Sequence, residues 1–145
     1  MTQPFFGTAP IVEGELPQLG GKAVEGTFAG TIWHMGVQSE KSQTFMKAYK
    51  KRCKTLYPGK FTAYPDYYPV NAYDSVFMIA EAIKMKNISN RSGDLRADRK
   101  KIMEYFTVLN DFDGVASKGF NDVGDGLKGV HVLEAKNGHW QAVED

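Results

Sequence analysis

The chain has 145 residues, with 18 lysines and arginines against 17 aspartates and glutamates, for a formal net charge of +1. That balance excludes a polycation that holds nucleic acid or an anionic membrane by bulk charge. With 42% hydrophobic and 12% aromatic residues the chain can build a core, which excludes wholesale disorder. Its longest apolar run, Val76 to Ala80, is far shorter than the ~18 residues of a membrane-spanning helix, and the length suits one domain.

The first apolar stretch, Pro4 to Ala9, reads as a strand broken by Gly7. Ile11 to Leu19 suits a short helix ended by Gly20-Gly21. The β-rich run Gly26 to Trp33 predicts a second strand. Ser39 to Leu56 predicts a helix, with Phe45, Met46, Tyr49, Cys53 and Leu56 at helical spacing, Ser39 as N-cap and Pro58-Gly59 as the stop. Its lysines and Arg52 read as a solvated face opposite that stripe. Phe61 to Val70, punctuated by Pro65 and Pro69, predicts an extended connection.

Asn71 to Lys86 predicts a second helix, capped by Asn71, with Tyr73, Val76, Phe77, Ala80 and Ile83 as its buried stripe. Leu95 to Leu109 predicts a third, with Ile102, Met103, Phe106 and Leu109 on one face and Asp94 as cap. Beyond it the pattern turns to β. Asn121 to Gly129 is turn-rich, and Val130 to Lys136 followed by His139 to Val143 reads as a hairpin about Asn137-Gly138, since both turn residues tolerate positive φ.

Catalytic and metal motifs find no support. Cys53 is the single cysteine, so an intramolecular disulfide is impossible, and its apolar neighbours make it a small buried hydrophobe. Gly124 to Gly129 spells G-x-G-x-x-G, yet a strand follows where a dinucleotide fingerprint needs a helix. Asn121 to Gly126 lacks oxygen ligands at the alternate positions of a calcium loop. His131 and His139 fall about five residues apart along the hairpin, on the order of 16 Å, so they cannot share a metal, and His34 is isolated in sequence. Gly114 to Gly119 has one residue too many for a serine elbow. Glu13, Glu15 and Glu25 are present, but the sequence places no two of them across a cleft. No nucleophile–base pair can be named, so the sequence gives no support for an enzyme, and neither a cofactor nor a metal is implied.

The order of the remaining signals is informative. A strand ending in Phe6-Gly7 precedes Lys22-Ala23-Val24-Glu25-Gly26 and a β run. A lysine-rich helix then ends in Tyr57-Pro58-Gly59-Lys60, and Asn71-Ala72-Tyr73-Asp74-Ser75-Val76 opens another that holds Ala80-Glu81-Ala82-Ile83. Asp111-Phe112-Asp113-Gly114-Val115, Phe120-Asn121-Asp122 with Gly124-Asp125, and Val132-Leu133-Glu134-Ala135-Lys136-Asn137-Gly138 complete the series. Over nearly the whole chain this order resembles the C-terminal part of type I periplasmic binding proteins, in the branched-chain amino-acid (leucine/isoleucine/valine) branch of ABC-transporter substrate-binding proteins.

The resemblance implies an α/β chain, a partial type I binding-protein fold of Rossmann-like lobes with about three main helices, short strands and a C-terminal β-hairpin. It implies that residues 1–35 end lobe two and form a crossover, 36–128 are a helical return into lobe one, and 129–145 are a hairpin returning toward lobe two. It also implies the extracytoplasmic solute-capturing component of an ABC importer, a non-enzyme, whose partners are an amino acid or related small carboxylate or amide and, through the full-length parent, a membrane permease. The parent is then periplasmic or extracellular. Met1 to Pro4 shows no charged region leading into an apolar one, so this chain is expected to carry no signal peptide. A chain holding one part of a two-lobe cleft is expected to bind its solute weakly or not at all. The alternative is a stand-alone small α/β interaction or regulatory domain that self-associates through exposed apolar surface.

By resemblance, the implied ligand-binding residues are Thr8, Ala9, Trp33, His34 and Tyr68. In amino-acid-binding members an acidic residue after the strand–Phe–Gly segment pairs with the ligand's ammonium, and the ungapped count puts Ala9 there. Alanine leaves that charge unpaired, at a cost of about 3–5 kcal/mol if buried, which turns the implied ligand toward a carboxylate, amide or aromatic acid. Tyr68 falls where an aromatic packs on the ligand side chain, and it equally suits a core-capping role. Trp33 and His34 fall at the crossover, where a hinge-packing tryptophan and a structural histidine are the alternatives.

Overall fold

The computed structural model describes residues 4–13, 15–59 and 65–143, and these divide into two units. The first comprises residues up to Pro69 together with Gly129 onward, and the second runs from Val70 to Lys128.

The first unit is built on a four-stranded sheet in the order β1-β2-β5-β6, with β1 at Phe6–Gly7, β2 at Phe28–Thr31, β5 at His131–Lys136 and β6 at His139–Ala142. β1 runs parallel to β2, whereas β2–β5 and β5–β6 are antiparallel. The parallel pair is bridged by a 3-10 turn at Ala9–Val12, helix α1 at Leu16–Gly20 and a second 3-10 turn at Gly21–Ala23. Strand alternation sets the core face: Ala29 and Thr31 of β2 and Leu133 and Ala135 of β5 are buried, and Ala29 stands opposite Leu133. The predicted hairpin is present in the predicted register, with Lys136 facing His139. Asn137 and Gly138 take φ of +54° and +76°, the pair of positive values a tight I′ turn demands. The Glu25 carboxylate accepts the Asn137 N–H at 3.0 Å, tying the turn to the segment before β2.

Helix α2, Glu40–Leu56, follows the sequence reading closely. Ser39 is its N-cap and accepts the Ser42 N–H, and Phe45, Met46 and Cys53 are buried. Leu56, read as part of the stripe, is exposed at the helix end.

Helix α3 begins earlier than expected, at Tyr67, and runs to Met85. The predicted connection over 61–70 is therefore helical in its last four residues, while 61–64 lie outside the described residues. Pro69 falls in the first helical turn, where its missing N–H costs nothing. The Asp66 carboxylate just before the helix accepts the Tyr68 N–H at 2.8 Å, taking the capping role assigned to Asn71. Asn71 instead lies inside the helix and accepts from Lys128 Nζ.

The stripe read for α3 is reversed. Val70, Asp74, Met78 and Ala82 are the buried positions, whereas Tyr73, Val76, Phe77 and Ile83 are exposed. The buried face is centred on a charged residue that no apolar period marks. Asp74, only 1% exposed, accepts the N–H groups of Val115, Ala116 and Ser117 at 2.8–2.9 Å. Gly114 makes that approach possible, since a Cβ there would stand 2.7 Å from the Asp74 carboxylate and from Ser117 O.

Helix α4, Leu95–Phe106, buries Asp98 and Tyr105 and exposes Met103. Asp94 stands at the N-cap position but makes no capping bond, its carboxylate accepting instead from the Ser89 hydroxyl. Asp98 accepts the Asn90 N–H at 2.8 Å and so anchors the preceding loop. The Tyr105 phenol is pushed up to about 12 by burial and by its hydrogen bond to Glu81 of α3. Strands β3, Ser117–Phe120, and β4, Gly126–Lys128, close the unit as an antiparallel pair. Asn121 Oδ1 holds their turn by accepting from Val123 and Asp125 N–H. Among the described residues no helix is long and apolar enough to cross a membrane.

Candidate functional site

The site starts at the end of β2. Thr31, its side chain buried by strand alternation, donates its hydroxyl to Trp33 O at 3.0 Å and folds the chain back beyond the strand. The Trp33 ring is then inserted against α2. It is 2% exposed, meets Phe45 edge-on at 5.9 Å, and donates its indole N–H to Ser42 Oγ at 3.0 Å. Ser42, one turn inside α2, is itself fixed by the Ser39 hydroxyl at 2.9 Å.

His34 comes next. Its Nδ1 accepts the Gly36 N–H at 3.1 Å, and a Cβ on Gly36 would stand 2.8 Å from the imidazole. The turn therefore requires the smallest residue at Gly36. The ring meets His131 at the start of β5 edge-on, 4.9 Å between centroids, so the histidine that looks isolated in sequence has a partner in space. Burial, and then His131, hold the His34 pKa below its ordinary value.

Trp33 and His34 form one wall of a pocket of about 700 Å³ that lies wholly within the first unit. Val12, Glu13, Glu15 and Gln18 line it from the segment after β1, and Pro65, Asp66 and Tyr67 from the start of α3. His139, Trp140 and Ala142 line it from β6. A cavity of that size with aromatic walls and a few polar groups suits a small-molecule ligand.

Two polar atoms in this lining, Glu13 Oε1 and Trp140 Nε1, are buried without a hydrogen-bond partner among the described residues. Tyr67 stands beside Glu13. A hydrogen bond with Tyr68, then burial, then the Glu13 carboxylate hold the Tyr67 phenol above its usual range. The two tyrosine rings stack at 4.3 Å.

Of the five residues singled out in the sequence, Trp33 and His34 line the pocket and Thr8, Ala9 and Tyr68 do not. Thr8 is exposed before the first 3-10 turn, and Ala9 opens that turn. Tyr68 is exposed and stacks on Tyr67, which lines the pocket. Glu13, Tyr67, His139 and Trp140 line the pocket without having been singled out for it. A 3-10 turn and a short helix bring the Glu13 segment to the sheet end, and no apolar period announces such an approach. No group of three or more histidine, cysteine or acidic side chains capable of holding a metal occurs among the described residues.

A search of solved structures decides the fold. The chain matches a leucine-binding protein from Thermotoga maritima with a TM-score of 0.70 and 25% identity, over 99% of this chain and 37% of that one. It carries part of the type I periplasmic-binding-protein fold. The family resemblance read from the order of the sequence motifs is thereby borne out. A second match is a putative branched-chain amino-acid ABC transporter protein from Rhodospirillum rubrum, at TM-score 0.70 and 20% identity over 99% of this chain and 38% of that one. A third is a solute-binding protein of an ABC transporter from R. palustris in complex with benzoate, at TM-score 0.65 and 16% identity over 97% of this chain and 35% of that one. The chain thus spans little more than a third of the length of these binding proteins. No family model and no curated protein matches the sequence.

Proposed function

We propose that the chain is a solute-binding module of an ABC importer and that the pocket of its first unit forms part of the solute site. The observation that carries this reading is the coincidence of fold and cavity. The neighbours sharing the fold are ABC-transporter binding proteins, including a leucine-binding protein and one holding benzoate, and the pocket is of small-molecule size. The solute is an amino acid or a related small carboxylate or amide. Trp33 and His34 are its wall residues at the crossover, while Thr8, Ala9 and Tyr68 sit at the margin. On this reading residues 1–35 and 129–145 belong to lobe two and its crossover, and 36–128 return into lobe one. The complete protein works outside the cytoplasm and delivers the solute to a membrane permease. The stand-alone interaction-domain reading is the less favoured, because the neighbours are transport proteins.

A two-lobe site draws contacts from both lobes, and a chain spanning little more than a third of these binding proteins supplies only some of them. Binding by the chain alone is therefore weak. Titration with leucine, phenylalanine, benzoate and their amides, followed by the fluorescence of Trp33 and Trp140, tests the proposal. Saturable binding in the millimolar range supports it. No response to any of these solutes counts against the pocket as a solute site, and a sub-micromolar dissociation constant contradicts the weak, partial site.

A further inference from the structure

Apart from the pocket, we propose that the lysine face of helix α2 docks the protein, loosely and reversibly, on a bilayer surface that carries anionic headgroups. The helix concentrates charge. Six of its 17 residues are lysine or arginine and one, Glu40, is acidic, so it holds a net +5 in a chain of +1 and leaves the remainder at −4. Lys47, Lys51 and Lys54 fall at i, i+4 and i+7, one stripe opposite the buried Phe45, Met46 and Cys53, and all three are exposed. Glu40 stands two turns ahead of Lys47, about 10 Å along the axis, so no acid on the helix reaches the stripe. Like charges at this spacing oppose the helix that carries them. Helix α4 shows the contrast: there Lys100 lies 3.8 Å from Glu104, and Lys101 lies 3.8 Å from Asp98.

The chemistry of the stripe selects the partner. Lysine is a compact point charge without the planar fork that arginine brings to a carboxylate or phosphate, so it suits charge spread over a surface. Arg52 falls outside the stripe by the helical period. Protein interfaces are poor in lysine and rich in aromatic and arginine anchors, and single-stranded nucleic acid stacks its bases on aromatic rings. The exposed positions beside the stripe, Thr44, Ala48 and Thr55, supply neither anchor nor ring. A smooth cationic strip of this kind matches anionic headgroups, where each lysine strengthens attachment about fivefold. The small net charge of the whole chain does not oppose this, because the attraction resides in one face. The acidic remainder turns α2 toward the surface and itself away from it. No residue of α2 lines the pocket, so docking and solute capture use separate surfaces.

Co-sedimentation with vesicles tests the proposal. The full chain is expected to bind vesicles of equal parts phosphatidylcholine and phosphatidylglycerol at about 50 mM salt, to ignore phosphatidylcholine alone, and to be released at about 500 mM salt. The triple variant Lys47→Gln/Lys51→Gln/Lys54→Gln should lose about a hundredfold in affinity for the anionic vesicles, a fivefold step for each lysine. It should melt no lower than the parent, since like charges are removed. Lys22→Gln/Lys84→Gln/Lys136→Gln takes the same charge from exposed lysines away from α2 and should keep most of the affinity. Equal loss in both triple variants would assign the attraction to overall charge and overturn the proposal, as would an absence of binding to the anionic vesicles. Soluble polyphosphate that binds the protein more tightly than the vesicles do, at matched charge, would make the face a polyanion site and overturn the lipid assignment.

Discussion

The Trp33 indole donates its N–H to Ser42 Oγ at 3.0 Å, and both side chains are almost wholly buried. This bond joins the pocket wall to the first turn of α2, where the Ser39 cap also donates its hydroxyl to Ser42 Oγ, so the helix start and the orientation of a site residue are linked through Ser42. Ser42→Ala strands the indole N–H in the core. The expected loss is about 1–3 kcal/mol of stability, measured by urea unfolding, together with a red-shifted Trp33 emission. Ser42→Thr keeps the acceptor and should retain the native spectrum at the cost of an extra methyl. An alanine variant as stable as the parent, with unchanged emission, would mean that the bond contributes nothing.

Asp74 performs the corresponding task in the second unit, where three consecutive backbone N–H groups, from Val115 to Ser117, end on its carboxylate. Asp74→Ala leaves all three without their acceptor in a largely buried setting, and more than about 3 kcal/mol of destabilisation is expected. Asp74→Asn keeps one oxygen but turns an amide N–H₂ toward at least one donor, so it should fall between the two. Amide exchange localises the effect. The 115–117 amides should lose protection in Asp74→Ala well before those of β5, and equal loss across both units would refute a local clamp.

These two aspartate and serine contacts mark where sequence reading reaches and where it stops. The α2 boundaries, its cap at Ser39 and the hairpin about Asn137-Gly138 rest on local chemistry, and local chemistry is legible in a string of residues. The order of motifs carried the fold. The faces of α3 were not legible. Tyr73, Val76, Phe77 and Ile83 have the right period for a buried stripe, yet the buried face holds Val70, Met78 and Ala82 around Asp74, a charged residue that is buried because it meets backbone donors. Hydrophobic period marks a face as apolar and does not say what that face will meet. The pocket shows a similar limit. Trp33 and His34 stand out in the sequence through the motif order, and both line the pocket. Glu13 and Trp140 line one pocket from segments over a hundred residues apart, and no local pattern announces that meeting.

The outward face of α3 has a measurable consequence. Val76 and Phe77 are 64% and 51% exposed, beside Tyr73, Ile79 and Ile83 on the same helix. Contiguous apolar surface of this kind binds apolar dyes and lowers solubility. The chain is expected to enhance the fluorescence of an anilinonaphthalene dye. The double variant Val76→Ser/Phe77→Ser should remove most of that signal and shift the melting temperature little, because exposed side chains contribute little to the core. Dye fluorescence that persists undiminished in the double variant would place the apolar surface elsewhere.

Acid should loosen the first unit through His34. Its pKa lies below the ordinary 6.5, first because burial disfavours the charged ring and second because His131 stands against it. The folded chain therefore takes up this proton at lower pH than the unfolded chain does. Above the unfolded value both states leave the ring neutral, and no penalty arises. As pH falls through 6.5 the unfolded chain binds the proton first, and stability declines until the folded-state value is passed. The melting temperature should drop over that window. His34→Asn is the informative variant, because its side-chain oxygen can still accept the Gly36 N–H now bound by Nδ1 while nothing at the position titrates. It should flatten the slope of melting temperature against pH below 6.5, and a slope identical to the parent's would assign the acid sensitivity to other groups.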